Sequence, residues 1–414
     1  SAATSAAARS SSPATCRPAA SRRTTACGVS RSSERTCTSP PAGSNRPFGG
    51  ILRYKDGKDG YATIFRYFND LSAFRFQNGL QMNLGHGTWN NNFPVKFGTT
   101  TLIDHHASPN SIRGSLDLIK HALRQVGLRG VLCYETTDRG GKKRRDLSLE
   151  ENERFVTENA SNPHFRGTIG AHASFTLGDD SLARLGELAG MYDCGVHIHV
   201  AEDKADVVDS VEKHQKGVVE RLKKFGVLRK KSLFVHGVHL SRKQLALVEK
   251  TGAWMVHNPR SNMNNGVGYA PLTWYGEHSA LGTDGFASDM FEESKFGYFR
   301  NAESNFRTEL SRLPAMLHNG QRVAAEFFGR TFGTLQKGSP ADLVVLDYVP
   351  PTPLTSRNFH GHFLFGMNSA MVQHVIVDGN WIVWNKQLVG IDEEAVMQKA
   401  ASVAKKLWGR MHGR

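Results

Sequence analysis

From residue 96 onward, short runs of β-branched and apolar residues alternate with longer segments whose apolar positions recur at helical spacing. Seven of the short runs predict β-strands, at residues 99–106, 129–137, 166–174, 195–202, 232–238, 253–259 and 280–285. Helix signals fall between the runs. Ser241, for example, is a predicted N-cap, and Gly252 follows the end of the same helix. This alternation predicts a parallel sheet whose strands are connected by helices.

Polar side chains stand at the end of every predicted strand. They are His106, Thr137, His172 with Ser174, His199 with Glu202, His236, His257 with Asn258, and Asp284. Such a distribution is typical of a (β/α)8 barrel, whose active site lies at the C-terminal face of the strands. A doubly wound sheet is the alternative, but it would not place polar residues at every strand end. We therefore predict an α/β fold with a TIM-like barrel over 96–335, whose eighth strand should precede residue 96.

Two further segments follow the barrel. Residues 336–392 are predicted to form a small β-sandwich domain, in which Asp378 and Gly379 separate two apolar runs and indicate a tight hairpin over 374–385. Residues 393–414 have apolar residues at helical spacing and predict a C-terminal amphipathic helix.

The beginning of the chain differs in character from the rest. Residues 1–50 consist mainly of Ser, Ala, Arg, Thr and Pro, a composition that cannot build a hydrophobic core. Three interpretations stay open: an Arg- and Ser-rich transit peptide, a disordered linker, or a start altered by a frameshift. Residues 51–95 form an atypical segment that shows no clean period.

The net charge of the 414-residue chain is +14, which raises the question of a nucleic-acid partner. Residues 1–50 contribute seven Arg and one acidic residue, so about six of these charges lie there. Much of the remainder lies in two basic runs, at 141–145 and 221–231. Neither run alternates basic and aromatic residues in the way that stacks on bases, so we predict solvated surfaces and no nucleic-acid site.

Cysteine content and hydropathy indicate the cellular compartment in which the protein is expected. The five cysteines form no CxxC pair and no disulfide framework, which favours a reducing compartment. Apolar runs all fall short of the roughly 20 residues that span a bilayer. We therefore expect a cytoplasmic protein without a membrane segment.

The stretch "VHIHVAED" (196–203) carries the first candidate chemistry. His197 and His199 point to the same side of a strand, and His199 is closer to the rim. We predict His199 as a ligand for zinc or ferrous iron, His197 as a packed neighbour inside the barrel, and Glu202 as a group that reaches back over the site.

Two more strand ends supply groups to the same mouth. Asp284 is a candidate metal ligand or proton acceptor, although a turn or an N-cap would also explain an aspartate between glycines. His236 ends the strand between these elements. One divalent metal there would provide hydroxide from a bound water, Glu202 would carry protons, and His236 would polarise the reacting carbon.

The combined motifs resemble those of the amidohydrolase superfamily, in the branch of ATZ/TRZ-type deaminases and chlorohydrolases, and in detail those of the SsnA-type aminohydrolases. The matching segments are "TTTLIDHHASPN", "GAHASFTL", "HVAE", "VHGVHL", "HNPRSNMNNGVG", "GTDGFASDMFEESKF" and "PPTPLTSRNFHGHFLFG". The resemblance covers about three quarters of the chain. It implies His199 and Asp284 as metal ligands, Glu202 as acid and base, His236 as the activating histidine, and His172 and Asn258 as groups that face the substrate.

What the resemblance implies for function is a metal-dependent hydrolase that deaminates an amino-substituted heterocycle through a metal-bound hydroxide. The substrate would be purine-, pyrimidine- or triazine-like. The metal would be one zinc or iron ion, and no organic cofactor is expected. Because members of the family often form dimers, the resemblance also suggests a homodimer.

One departure from the family pattern is important. The branch places a His-x-His pair at the end of its first barrel strand, before the segment that matches "TTTLIDHH", and adds N-terminal strands to the small β domain. Residues 1–95 show neither, and His86 stands alone in "LGHGTW", while "FHGHF" has the spacing but lies at 359–363. His199 and Asp284 are too few ligands for a tight site. We therefore expect less than one equivalent of metal, and a catalytically impaired homologue is the alternative function. A full equivalent would imply a replacement ligand such as His86 or His106.

Overall fold

The computed structural model describes residues 94–412, with side chains described as far as residue 406. The strands are β1 Thr101–His106, β2 Arg129–Tyr134, β3 Phe165–Gly167, β4 Ile169–Ala173, β5 Val196–Val200, β6 Leu233–His236, β7 Trp254–His257, β8 Ser279–Leu281, β9 Leu343–Leu346, β10 Val372–Val377, β11 Asn380–Trp384 and β12 Gln387–Leu388. The α-helices of seven residues or more are α1 Ser115–Gln125, α2 Lys142–Glu158, α3 Asp179–Met191, α4 Lys204–His214, α5 Val218–Lys224, α6 Arg242–Thr251, α7 Pro259–Asn265, α8 Met290–Ala302, α9 Arg312–Phe328 and α10 Glu393–His412. The predicted tail and nearly all of the atypical segment, including His86, lie outside the described residues.

Strands β1 to β8 form two parallel sheets, in the orders β1-β2-β3 and β4-β5-β6-β7-β8. Only Thr168 separates β3 from β4, and a parallel bridge between Thr136 and Ala171 joins the two sheets. β3 and β4 are therefore one bent strand, and the layer contains seven barrel strands. Each overlaps one of the seven predicted runs, so the predicted α/β barrel class is confirmed. The predicted eighth strand falls before residue 94, outside the described residues.

Helices cover the outer side of the strands because their apolar faces pack on the apolar residues of the sheet. Leu182 and Leu185 of α3 are completely buried in a core that also includes Ile198 of β5. At α6, Ser241 and Gln244 form a reciprocal capping box, and Gly252 ends the helix at φ 74°. Both predicted signals of this helix are present.

The small β domain contains a single antiparallel sheet in the order β12-β11-β10-β9. Asp378 and Gly379 have φ values of 48° and 82°, as a type I′ hairpin turn requires, so the Asp-Gly prediction is correct. Residues 94–412 contain no second sheet that would complete the predicted sandwich, because β9 to β12 are the only strands that 336–392 supplies. A buried salt bridge of 2.6 Å between Arg129 and Asp342 connects this sheet to β2.

The predicted surface runs are partly buried. Most of their basic residues face solvent, but Arg145 is buried against Asp146 and Asp180, and Arg221 donates to Asp179 and to the carbonyl oxygen of Ser174. The prediction of solvated runs is therefore wrong for these two arginines, because Asp179 and Asp180 of α3, and Asp146 of α2 itself, neutralise them.

Two further predictions concern the C-terminal part. Within "FHGHF", which lies in the C-terminal region, His362 hydrogen-bonds the Tyr348 hydroxyl at 2.6 Å. The C-terminal helix is present as α10. None of the described helices is long and apolar enough to cross a bilayer.

Candidate active site

Two clusters of metal-ligand-type side chains lie at the C-terminal ends of the barrel strands. The first consists of His105 from β1, Glu135 just after β2, and His199 from β5. The second consists of Glu202 just after β5, His236 at the end of β6, and Asp284 beyond β8. Within each cluster, one ligand atom from each residue lies within 4.8 Å of the others. The structure thus brings together His199, Glu202, His236 and Asp284, as the sequence predicts.

Of the first cluster, His199 was predicted as a metal ligand, whereas His105 and Glu135 were not predicted. His105 Nδ1 lies 3.9 Å from Glu135 Oε2, and the His105 and His199 rings are 4.8 Å apart. Burial lowers the pKa of His105 to about 3, and the neighbouring His199 acts in the same direction, so the ring is neutral at pH 7. Burial also raises the pKa of Glu135, while His199 and Arg139 oppose the rise. His105 therefore presents a neutral imidazole, and the Glu135 carboxyl group lies largely buried beside it.

Backbone carbonyls of β4 hold two of these rings in place. His105 Nε2 hydrogen-bonds the Ala171 carbonyl oxygen at 3.0 Å, and His199 Nδ1 hydrogen-bonds the His172 carbonyl oxygen at 2.6 Å. A carbonyl only accepts hydrogen bonds, so each of these ring nitrogens must carry its proton. In the neutral form of either ring, the other nitrogen has a lone pair available for a ligand.

The second cluster surrounds His236, whose side chain is fully buried. His236 Nε2 lies 3.6 Å from Glu202 Oε2 and 3.8 Å from Asp284 Oδ2, and it has no hydrogen-bond partner among residues 94–412. Its Nδ1 is 2.8 Å from Asn262 Oδ1 and therefore carries a proton. Burial lowers the pKa of His236 although both carboxylates face the ring. An imidazole lone pair between two carboxylates attracts a proton or a cation.

The two carboxylates have polar supports of their own. The Ser261 hydroxyl donates to Asp284 Oδ2 at 2.5 Å, and the Asn265 amide donates to Glu202 Oε1 at 2.9 Å. Burial opposes ionisation of Asp284, but His236, His199 and the Ser261 hydroxyl outweigh it and hold the pKa of this carboxyl below its usual range. Asp284 is therefore a carboxylate at neutral pH.

Three non-glycine residues of this region have left-handed backbone conformations. Ala201, His236 and Asp284 have φ values of 47°, 75° and 51°, respectively. Each such conformation costs on the order of 1–3 kcal/mol and persists only where the surrounding structure imposes it. Two belong to the second cluster, and Ala201 immediately precedes Glu202. Three of the nine non-glycine residues with positive φ among the described residues therefore lie at this mouth of the barrel.

The remaining predicted site residues lie at different depths. His172 is half-buried, its ring 5.4 Å from the His199 ring and its Nδ1 2.9 Å from the Thr176 hydroxyl. Asn258 precedes α7, is only 2% exposed, and has an Oδ1 without a hydrogen-bond partner among residues 94–412. His197 is buried, and its ring lies 4.7 Å from the His105 ring, in the position of a packed neighbour. Substrate contacts of His172 and Asn258 stay predictions.

One sequence-based assignment needs correction, and a neighbouring arginine lies in the interior. His106 ends β1, but its Nε2 is 2.8 Å from the Ser108 hydroxyl and its ring packs against Tyr134, so the adjacent His105 reaches the cluster instead. Arg260 belongs to the segment "HNPRSNMNNGVG". It is buried and pairs with Glu293 at 2.5 Å, because the acidic N-terminus of α8 packs beside it.

Comparisons with known proteins agree with this geometry. A model of the amidohydrolase family matches residues 95–382. A 5'-deoxyadenosine deaminase of Methanopyrus kandleri is 29% identical over 322 residues, which cover 76% of this chain and 73% of the relative. A 5-methylthioadenosine/S-adenosylhomocysteine deaminase of Thermoanaerobacter pseudethanolicus is 29% identical over 323 residues, 75% of this chain and 73% of the relative.

Solved structures share the fold at lower sequence identity. An adenosine deaminase from Xanthomonas campestris with bound zinc has a TM-score of 0.67 and 22% identity, over 76% of this chain and 73% of its own. A triazine hydrolase variant has a TM-score of 0.70 and 16% identity, over 86% of this chain and 84% of its own. The barrel with its small β domain is therefore the fold of these proteins.

Proposed function

The chain belongs to the amidohydrolase family, and on this premise we propose that it is a metal-dependent aminohydrolase that deaminates an amino-substituted heterocycle. The family match and the deaminases among its relatives confirm the predicted family and the predicted enzyme class. The observation that carries the proposal is the convergence of Glu202, His236 and Asp284 beside His199 at the carboxyl ends of the strands. The assignment to the SsnA type stays a prediction.

Among the predicted purine, pyrimidine and triazine classes, we place amino-substituted purine nucleosides first. Two relatives are named as deaminases of adenosine derivatives, and one solved neighbour is an adenosine deaminase. The half-buried His172 ring lies 5.4 Å from the His199 ring, and this position supports a contact with the heterocycle. Asn258 is buried, so a contact with substrate would have to involve its unpaired Oδ1.

His199 of the first cluster and Asp284 of the second form a donor set that fits a divalent metal ion. His199 keeps a lone pair on Nε2, and Asp284 is a carboxylate whose Oδ2 faces the partnerless Nε2 of His236. Imidazole and carboxylate are the ligands that zinc and ferrous iron accept in hydrolases. Such an ion, when bound, lowers the pKa of a bound water toward about 7 and so makes hydroxide available at neutral pH. We assign His199 and Asp284 as ligands, and zinc is favoured because neighbours of the same fold carry it.

The protein's own groups account for the proton transfers. Hydrolytic deamination adds one water, breaks the C–N bond and releases ammonia, so one proton must move from the water to the leaving amino group. Glu202, whose carboxylate is partly exposed and held by Asn265, is placed to accept this proton and to return it. His236, fixed by Asn262 and 3.6 Å from Glu202, is placed to polarise the reacting carbon.

Ammonia release from a panel of aminopurines, aminopyrimidines and aminotriazines tests this assignment in the metal-loaded protein. Glu202→Gln is expected to reduce kcat by about 10²–10⁴-fold and to leave the metal content unchanged. Glu212→Gln is the matched control, because Glu212 is an exposed residue of α4. Retained turnover in the Glu202 variant would remove this residue from its role.

One observation favours the alternative function. Residues 1–95 contain no His-x-His pair, so two ligands of the family pattern are absent from the segment that should supply them. An impaired homologue would release no ammonia from any member of the panel, even after incubation with zinc or iron. The homodimer and the cytoplasmic location stay predictions.

A further inference from the structure

The structure contains donors that can replace the absent pair. We propose that His105, Glu135 and His199 together bind the divalent metal ion, with His105 and Glu135 in place of the His-x-His that residues 1–95 lack. This inference deepens the proposed function and rests on it for the catalytic role of the ion, although the binding of the ion can be tested separately. Together with Asp284, the ligand assigned above from the second cluster, these residues supply two imidazoles and two carboxylates, which are donor types that zinc accepts.

The hydrogen bonds behind the two rings support a metal site. Metal-binding histidines almost always donate their second ring N–H to a carbonyl or carboxylate, which fixes the ring and its tautomer. His105 and His199 both do so, and their acceptors are the consecutive carbonyl groups of Ala171 and His172 in β4. The lone pairs are consequently on His105 Nδ1 and His199 Nε2.

Glu135 presents one free oxygen to the same space. Its Oε1 accepts a hydrogen bond of 3.1 Å from Arg139, and its Oε2 is the atom closest to His105 Nδ1. Their separation of 3.9 Å is too long for a hydrogen bond. Two ligands that are each about 2.1 Å from one zinc ion stand about 3.4 Å apart at a tetrahedral angle. The observed gap therefore needs to close by only about 0.5 Å around an ion.

The position of the cluster relates it to the proposed chemistry. His199 belongs to the first cluster, and its ring stacks on the ring of His236 in the second cluster at 5.6 Å. An ion held by the first cluster therefore adjoins the groups assigned to proton transfer and polarisation. The prediction of less than one equivalent of metal is replaced by an expectation of one full equivalent.

Metal content and Co²⁺ affinity of the full chain test the site without any reference to turnover. The wild-type protein, reconstituted with Zn²⁺ and desalted, is expected to retain one equivalent by elemental analysis. His105→Ala and Glu135→Gln are each expected to weaken Co²⁺ binding, followed by its visible absorption, at least tenfold. Glu135→Asp, which keeps a carboxylate, should recover part of the affinity. His106→Ala is the matched control, because its side chain lies beside Ser108 and Tyr134 and outside the cluster.

Thermal unfolding of the metal-free variants shows whether each is folded. If His105→Ala does not fold, the isosteric variant Glu135→Gln still tests the site. Full metal content and unchanged affinity in both variants would overturn the proposal, as would a wild-type protein that binds no Zn²⁺. Loss of metal in these variants with no ammonia release from the wild type would refute the proposed function and leave the site standing. Ammonia release by the wild type, together with intact metal in both variants, would support the proposed function and refute the role of His105 and Glu135 as ligands.

Discussion

Replacing Gly170 with alanine is expected to disturb the junction on which the first cluster depends. A Cβ atom at this position of β4 would lie 2.3 Å from the carbonyl oxygen of Tyr134 and 2.7 Å from its carbonyl carbon. Ordinary contacts of this kind begin at 3.4 Å, and both atoms belong to the backbone of the neighbouring strand. The two strands must therefore separate by about 1 Å. Such overpacking costs about 1–3 kcal/mol, which lowers Tm by at least about 2 °C.

The same displacement reaches the ligands. Glu135 follows Tyr134 along the chain, and Ala171, whose carbonyl orients His105, follows Gly170. A separation of about 1 Å at this point changes the distance between His105 and Glu135 by a similar amount. Misplacement on that scale can cost about 10²-fold in rate. We expect Gly170→Ala to reduce kcat at least tenfold and to weaken metal binding in the folded protein.

Thermal unfolding, metal content and ammonia release are to be measured on three glycine variants. Gly320→Ala is the neutral control, because a Cβ there meets nothing within 4 Å in the middle of α9, and the helix should gain about 0.5–1 kcal/mol. Gly186→Ala places a Cβ 1.8 Å from the Phe225 carbonyl oxygen in the helical layer, so it should destabilise the fold and spare the activity of the folded protein. A Gly170→Ala protein with wild-type Tm, metal content and kcat would refute the reasoning.

Two further predictions concern stability. Asp206 is buried and accepts hydrogen bonds from the backbone N–H groups of Ala201 and Phe175, and burial raises its pKa from 3.8 to about 6. Between about pH 4 and pH 6 the folded carboxyl holds a proton that the unfolded one has lost, so this group makes stability fall as pH rises, by up to about 3 kcal/mol. Urea unfolding of Asp206→Asn at pH 4.5 and 7 should lack this contribution, and an identical pH slope in variant and wild type would contradict it. Asp342→Leu should cost about 3–5 kcal/mol, because it leaves the fully buried Arg129 charge unpaired. The double variant with Arg129→Met should recover much of this loss, and a single-variant loss below about 1 kcal/mol in chemical denaturation would disprove the estimate.

The order of strands and helices was predictable because the relevant signals are local. Ser241 and Gly252 mark the two ends of α6, and the Asp378-Gly379 turn fixes its hairpin through the φ values that it demands. His199 and Asp284 were also accessible, because each stands at the end of an apolar run that is clearly delimited in the sequence. These features depend on only a few neighbouring residues.

By contrast, the sequence does not show whether His105 or His106 faces the inside of the barrel. Successive side chains of a strand point to opposite faces, and a parallel barrel strand has apolar neighbours on both of them. In β1, Leu102 packs towards the core beneath the small β domain, whereas Ile103 packs inside the barrel beside Val131. Hydrophobicity therefore does not reveal which histidine faces inward. The register of β1 against β2 settles it, and register is a property of the folded sheet.

Glu135 was missed for a related reason. The prediction extended its strand to Thr137 and took that residue as the polar end, whereas β2 ends at Tyr134 and Thr137 instead caps the short helical turn that begins at Asp138. A difference of three residues in a strand end changes which polar side chain reaches the mouth. Sequence patterns rarely place a boundary more closely than a few residues.

The carbonyl groups of Ala171 and His172 have a consequence for sequence drift in such proteins. Every residue has a carbonyl group, so substitutions at positions 171 and 172 can change the side chains and leave both acceptors in place. The orientation of His105 and His199 is consequently encoded by the path of β4 rather than by the identity of its residues. A search for lost or gained metal sites among divergent relatives would miss this support if it compared side chains alone, and would find it by comparing backbone positions.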